Sequence, residues 1–137
     1  DFFGTINLFD ATVISCKPNE DTASYNIKAK LDKTGTVVKA VAESLLRPAS
    51  AITIGVRPEK IRISHERPER DNLTIAKGVV EDLAYYGNRS IYRVRSESGR
   101  VIQVSAQNYQ RSEQLSLEWD DQAYLSWDAS CNVVLTE

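Results

Sequence analysis

The chain has 137 residues, 42% of them hydrophobic and 26% charged, with 17 basic and 19 acidic side chains and a net charge of −2. That is enough for one ordinary domain, or for two very small lobes sharing a core. No apolar run reaches the roughly 18 residues of a membrane span, no basic segment with an apolar one behind it marks a signal peptide, and the acidic balance argues against a dedicated nucleic-acid binder.

The opening segment, DFFGTINLF, has no initiator Met and runs almost at once into an apolar, strand-like stretch. It reads as a piece of a longer polypeptide whose missing part is N-terminal. Phe2, Phe3, Ile6, Leu8 and Phe9 are more apolar than an entry segment needs. They suit either a first strand feeding the core or a contact with the missing part, for which Phe2 and Phe3 are the candidates.

The dominant period is two, which means strands. In ASYNIKAKL, residues Ala23, Tyr25, Ile27, Ala29 and Leu31 share one face, and Ser24, Asn26, Lys28 and Lys30 the other. This predicts a half-buried antiparallel strand. The turn chemistry of Asp32–Gly35 and the return of TVVKAVA make a hairpin. VVKAVAESLL also fits a short helix, with Val37, Val41 and Leu45 spaced by four, but the β-branched pair favours strand for its first half. AITIGV is a strand with Ile52, Ile54 and Val56 on one side.

GVRPEKIRIS then interrupts the alternation. Proline biases Arg57 toward an extended conformation and suits the first position of a turn. Glu59 falls where the first free N–H groups of that turn point outward. RPEKI therefore reads as strand, tight turn, strand. Arg57, Pro58 and Glu59 form a structural corner, or alternatively an Arg–Glu device that fixes a joint between lobes or subunits.

Residues 64–72, SHERPERDN, carry five charges, a proline and no apolar side chain. They are the best internal boundary, giving one lobe at about 1–66 and another at about 67–137, with the terminal strands possible partners in exchange. His65, the only histidine, reads as solvent-facing in this loop.

In the second half, LTIAKGVVEDLAYYG is a long strand, bent or bulged around Gly78. Gly87-Asn88 turns into RSIYRVRSE, and Ser98-Gly99 into RVIQVSA. QAYLSWD and the short NVVLT follow the polar stretch QNYQRSEQ. Short strands divided by Gly, Asn and Asp turns predict an all-β fold of small barrels or a sandwich.

The catalytic inventory is thin. There is no phosphate-wrapping Gly-x-x-x-x-Gly-Lys-Ser/Thr loop, no Gly-x-Ser-x-Gly elbow, and too few histidines for a Ser-His-Asp set. Cys16 and Cys131 belong to no Cys-x-x-Cys pair, so they read as free thiols, with a disulfide between neighbouring first and last strands as the alternative, and no zinc site is expected. Asp120-Asp121 reads as a solvated turn, with a cation site or an arginine partner as the alternative. Arg89, Arg93, Arg95 and Arg100 cluster on or beside one hairpin with Tyr85, Tyr86 and Tyr92. Arg89, Arg93, Arg95 and Tyr92 are the candidate anion or partner contacts. On a small barrel such a set can hold a small anion or single-stranded nucleic acid. The plainer reading makes the arginines the wet face of a sheet whose other face carries Tyr92 and Val94.

Taken in order, GTINLFDATV, GVRPEKIRI and GVVEDLAYYGNRSIYRVRSESGRVIQV resemble the C-terminal regulatory part of ABC-transporter ATPase subunits, the TOBE (transport-associated OB) domain. The likeness spans nearly the whole chain, and the ending EWDDQAYLSWDASCNVVL is most similar to the polyamine (putrescine or spermidine) import branch. The resemblance implies two interlinked OB-like barrel lobes, placed after a nucleotide-binding domain at the cytoplasmic face of the bacterial inner membrane. It implies a noncatalytic, dimer-stabilising role, with the parent ATPase domain, a second copy and, through the parent, the permease subunits as partners. No nucleic acid is expected. No ATP-hydrolysing motif has a counterpart here, so no cofactor is expected in this chain, and ATP with magnesium is implied only for the parent. An oxyanion-sensing OB module is the alternative, and an OB-type nucleic-acid binder a weaker one.

Overall fold

A computed structural model describes residues 6–107 and 120–135. Among these residues, ten strands carry the fold: β1 (Asn7–Pro18), β2 (Tyr25–Leu31), β3 (Val37–Ala42), β4 (Ala51–Val56), β5 (Arg62–Ser64), β6 (Leu73–Tyr86), β7 (Arg89–Ser96), β8 (Val101–Gln107), β9 (Gln122–Asp128) and β10 (Val133–Leu135). The only helical elements among the described residues are 3-10 turns, at Pro58–Lys60 and Ala129–Cys131. The protein is all-β, and no helix in the described residues is long and apolar enough to cross a membrane.

The chain divides into two compact units. The first comprises Leu8–Val56 and Asp128–Glu137. Its strands close into a barrel in the order β1-β2-β3-β10-β4. Alternation decides which side is buried: Ala11, Val13, Ile27, Ala29, Val38, Ala40, Ala42, Ile52, Ile54 and Val56 fill the interior. The outward partners are lysines, valines and threonines, as a period of two requires. β1 pairs with β2 through a register shift between Val13 and Ser15. Val13 also holds the segment leading into β4, donating its N–H to Ser50 O at 2.9 Å and accepting from Ala49 N at 2.7 Å. β10 enters between β3 and β4, parallel to the first and antiparallel to the second. Asn132, 5% exposed, donates its side-chain amide to Lys39 O at 2.9 Å and so pins that entry.

The second unit comprises Asp1–Asn7 and Arg57–Trp127. It is a five-stranded sheet in the order β5-β9-β6-β7-β8, curled so that β5 and the Pro58–Lys60 turn approach β8. Ile61, Ile63, Val80, Tyr92, Val94, Ile102, Val104, Ala123, Leu125 and Trp127 form its core. Tyr86 and Arg89 pair directly across Gly87-Asn88, and Gly87 takes φ +60°, the left-handed geometry that matches strand twist in two-residue hairpins.

Two features differ from the sequence expectation. The polar stretch 64–72 lies inside one unit, and the chain passes between units after Asn7, after Val56 and again after Trp127. Closing the first barrel takes the short β10, and long-range pairing of that kind leaves no mark in local polarity. The irregularity in β6 falls between Val80 and Asp82, not at Gly78. Gly78 serves a different need, since a Cβ there would collide with Arg95 O and come within 2.8 Å of Val94 Cγ1. It is a point of close strand approach.

Candidate functional site

The Arg57–Glu59 corner takes the form its residues dictate. β4 ends at Val56, Arg57 is extended (φ −74°, ψ 141°), and Pro58 opens a single 3-10 turn. Lys60 N–H donates to Arg57 O at 3.0 Å, and Ile61 N–H to Pro58 O at 3.3 Å. Pro58 is buried, while Arg57 and Glu59 are exposed. Neither charged side chain forms an ion pair among the described residues. The proline anchors the corner, and the two charges face solvent.

The arginine hairpin is β7 with its neighbours. Strand register puts Arg89, Ile91, Arg93 and Arg95 on one face and Ser90, Tyr92 and Val94 on the other. Tyr92 and Val94 are 2% and 0% exposed, so Tyr92 belongs to the core and does not join Arg93 and Arg95 in a common surface. Each arginine is engaged within its own sheet. Arg89 Nε donates to Ser105 Oγ at 2.8 Å, and its Nη2 to Ser105 O at 3.1 Å. Arg93 Nη1 reaches Gln103 Oε1 at 3.4 Å. Arg95 Nε meets Glu81 Oε1 at 2.7 Å, and its Nη1 donates to Gly99 O at 2.9 Å. A guanidinium so engaged has fewer free donors for an anion. The tip differs: Tyr85 and Tyr86 are 69% and 65% exposed, and register turns them to opposite faces.

Burial pushes the Tyr92 phenol above its ordinary value, and the neighbouring Tyr85 adds to the shift. Asp120 is a turn residue at φ +70°, with its N–H on Val80 O, while Asp121 O accepts from Val80 N. No group of three or more His, Cys, Asp or Glu side chains among the described residues is placed to hold a metal. Cys16 and Cys131 are free thiols, and Leu46 N–H points at Cys16 Sγ at 3.4 Å. Phe2 and Phe3 lie outside the described residues.

Sequence patterning alone did not single out Lys28 and Lys39, which register sets directly opposite each other on the barrel's outer face. That opposition depends on the register set across the Asp32–Gly35 turn, which residue type alone does not report.

Comparison with known proteins fits this architecture. Residues 54–135 match the family model described as TOBE domain. Over 99% of its length the chain is 35% identical to the spermidine/putrescine import ATP-binding protein PotA of Treponema pallidum (strain Nichols), covering 36% of that protein. It is 30% identical, again over 99% of its length, to the putrescine transport ATP-binding protein PotG of Escherichia coli (strain K12), covering 34% of it. The chain thus spans about a third of the length of these relatives. Among solved structures, the cytoplasmic molybdate-binding protein ModG superposes with a TM-score of 0.82 at 17% identity, over 96% of both chains, a likeness of fold. With the family model matching more than half of the chain and the full-length likeness to two polyamine-transport ATP-binding proteins, the chain belongs to the TOBE domain family.

Proposed function

We propose that the chain is the noncatalytic, dimer-stabilising regulatory domain of the ATP-binding subunit of a bacterial polyamine importer. The observation that carries this is the match of 99% of the chain to about a third of such subunits. The ATPase chemistry then belongs to the remaining two-thirds of the parent, together with its ATP and magnesium. The subunit sits at the cytoplasmic face of the inner membrane, and the permease subunits are reached through the parent. A closed barrel and a tightly hydrogen-bonded sheet suit a rigid clamp. Two such domains in contact keep the moving ATPase halves at high effective concentration while those open and close. The Arg57–Glu59 turn is the fixed corner of this scaffold, and Phe2 and Phe3 are the contact to the ATPase domain. The test is sedimentation of the whole ATP-binding subunit with and without this region. Weaker ATP-driven dimerisation on deletion is expected, and an equally tight dimer refutes the clamp.

A second reading, an oxyanion sensor, is favoured by the shared fold with a molybdate-binding protein. The engagement of Arg89, Arg93 and Arg95 within the sheet weighs against the arginine hairpin as its site. Calorimetry with molybdate, sulfate and putrescine separates the two readings: saturable heat with an oxyanion supports the sensor, and its absence leaves the clamp. The nucleic-acid reading requires arginines and Tyr92 on one exposed face, which the register of β7 separates.

A further inference from the structure

On the outer face of the barrel, a groove of about 720 Å³ runs over β1, β2 and β3 to the Ala129–Cys131 turn. Ser15, Lys17, Asn26, Lys28, Lys39 and Ser130 line it. Cross-strand pairs give the arrangement: Lys17 stands opposite Asn26, Ser15 opposite Lys28, and Lys28 opposite Lys39. Two lysines therefore stand directly opposite each other, with a third beside the neighbouring cross-strand pair. Like charges in that relation destabilise a sheet unless something neutralises them. Among the described residues none of the three lysines forms an ion pair. The chain as a whole is acidic, so this concentration of positive charge runs against its average.

The polar groups between the lysines are set to donate. Asn19 Nδ2 donates to Asn26 Oδ1 at 3.2 Å, so the Asn26 carbonyl is engaged while its NH₂ keeps its donors. Asn19 Oδ1 is taken in turn by Asp21 N–H at 2.9 Å. Three ammonium groups, one amide NH₂ and the hydroxyls of Ser15 and Ser130 make a concave, donor-rich surface of the volume typical for small-molecule sites. Glu20 and Asp21 line the groove as well. They belong to the turn after β1, and they repel an anion from that end. The favourable position is over the Lys28–Lys39 pair.

We propose that this groove binds a phosphate-bearing ligand carrying more than one negative charge, seated across Lys28 and Lys39 with Lys17 and Asn26 at its flank. Compact oxygen acceptors match ammonium and amide donors, and multiple charges are what an opposed lysine pair can neutralise. The groove belongs to the barrel unit and the arginine hairpin to the other unit, and the proposal does not rest on the clamp reading.

Tripolyphosphate titrated into the protein, followed by calorimetry and amide chemical shifts, tests the assignment. The expected result is saturable binding with shifts centred on Asn26–Lys28 and Lys39–Val41. Lys28→Gln and Lys39→Gln should each weaken it by about three- to fivefold, as exposed charge pairs do. Affinity should fall as salt rises from 20 to 300 mM, concentrations at which screening of exposed charges changes strongly. Glu20→Gln should strengthen binding, and Lys33→Gln, in the neighbouring turn, should leave it unchanged. All of these residues but Lys39 and Lys28 lie outside strands, and those two point to solvent, so circular dichroism should be unaltered throughout. Vesicles containing cardiolipin, whose headgroup bears two phosphates, against phosphatidylcholine, distinguish the source of the phosphate. Binding to the anionic vesicles alone that is lost in Lys28→Gln/Lys39→Gln assigns the ligand as a lipid headgroup. Binding to tripolyphosphate alone assigns it as a free metabolite. Binding to neither, or binding indifferent to both lysine substitutions, overturns the proposal.

Discussion

Replacing Gly78 by alanine tests how tightly β6 and β7 approach. The added Cβ would collide with the carbonyl oxygen of Arg95 and would lie 2.8 Å from Val94 Cγ1 and 2.9 Å from the Arg95 carbonyl carbon. To reach an ordinary contact of 3.4 Å, the Val94 methyl must retreat by about 0.6 Å, and the main chain of Arg95 further. Val94 is fully buried, and Arg95 N and O are tied into the sheet, so neither gives way cheaply. Overpacking of this kind costs about 1–3 kcal/mol. For a chain of this size that is a fall in Tm of roughly 3–12 °C, read by circular dichroism or calorimetry. Gly87→Ala is the comparator. Nothing lies within 4 Å of a Cβ there, so only the left-handed φ of +60° is penalised, by about 1 kcal/mol. A Gly78→Ala protein that melts no lower than Gly87→Ala would refute the close-approach reading.

Asn7→Ala should cost about 1–3 kcal/mol, because the Asn7 amide donates to Gln103 O at 2.9 Å and accepts from Gln103 N at 2.8 Å, satisfying the free edge of β8. Hydrogen exchange at the Gln103 amide should accelerate with the loss of Tm, and an unchanged rate refutes the cap. The Arg95–Glu81 pair is partly exposed on both sides, so a double-mutant cycle should give a coupling below about 1 kcal/mol that shrinks with salt. A larger, salt-independent coupling would contradict this. Tyr92 supplies a pH prediction. Its folded pKa is raised, so above the ordinary value of about 10 the folded state holds a proton that the unfolded state has lost. The corresponding stability is fully present below about pH 10 and is lost as pH climbs through the raised value. Tyr92→Phe should flatten that alkaline decline in urea titrations, and an identical decline in both proteins refutes it.

Most of the strand content was legible because burial in an antiparallel sheet imposes a period of two. Tyr25–Leu31 and Arg89–Ser96 alternate inside and outside as their side chains require. The Arg57–Lys60 corner was legible for a different reason, since proline restricts its own φ and its predecessor's conformation. The side of the sheet occupied by Tyr92 followed from the same alternation, but an arginine-rich hairpin with three tyrosines also suggested a mixed surface until register separated them. Three features were not legible. The short strand in NVVLT was legible, but its place between β3 and β4 was not, because three residues carry no sign of their partners. Asn7 looks like any polar residue in an apolar segment until its amide meets an edge strand 96 positions away. The Lys28–Lys39 opposition depends on the pairing offset set by one turn, and residue type alone does not report it.

The parallel entry of β10 has a kinetic consequence. Leu8–Val56 precede β10 by more than seventy residues, yet their barrel needs residues 133–135 to fill the gap between β3 and β4. Until then two strand edges stand open, a template for pairing with other chains. High sequence separation of that contact makes closure slow. The strands of Arg57–Trp127 all precede β10 in the chain, so their own sheet can pair while those two edges still lack their partner.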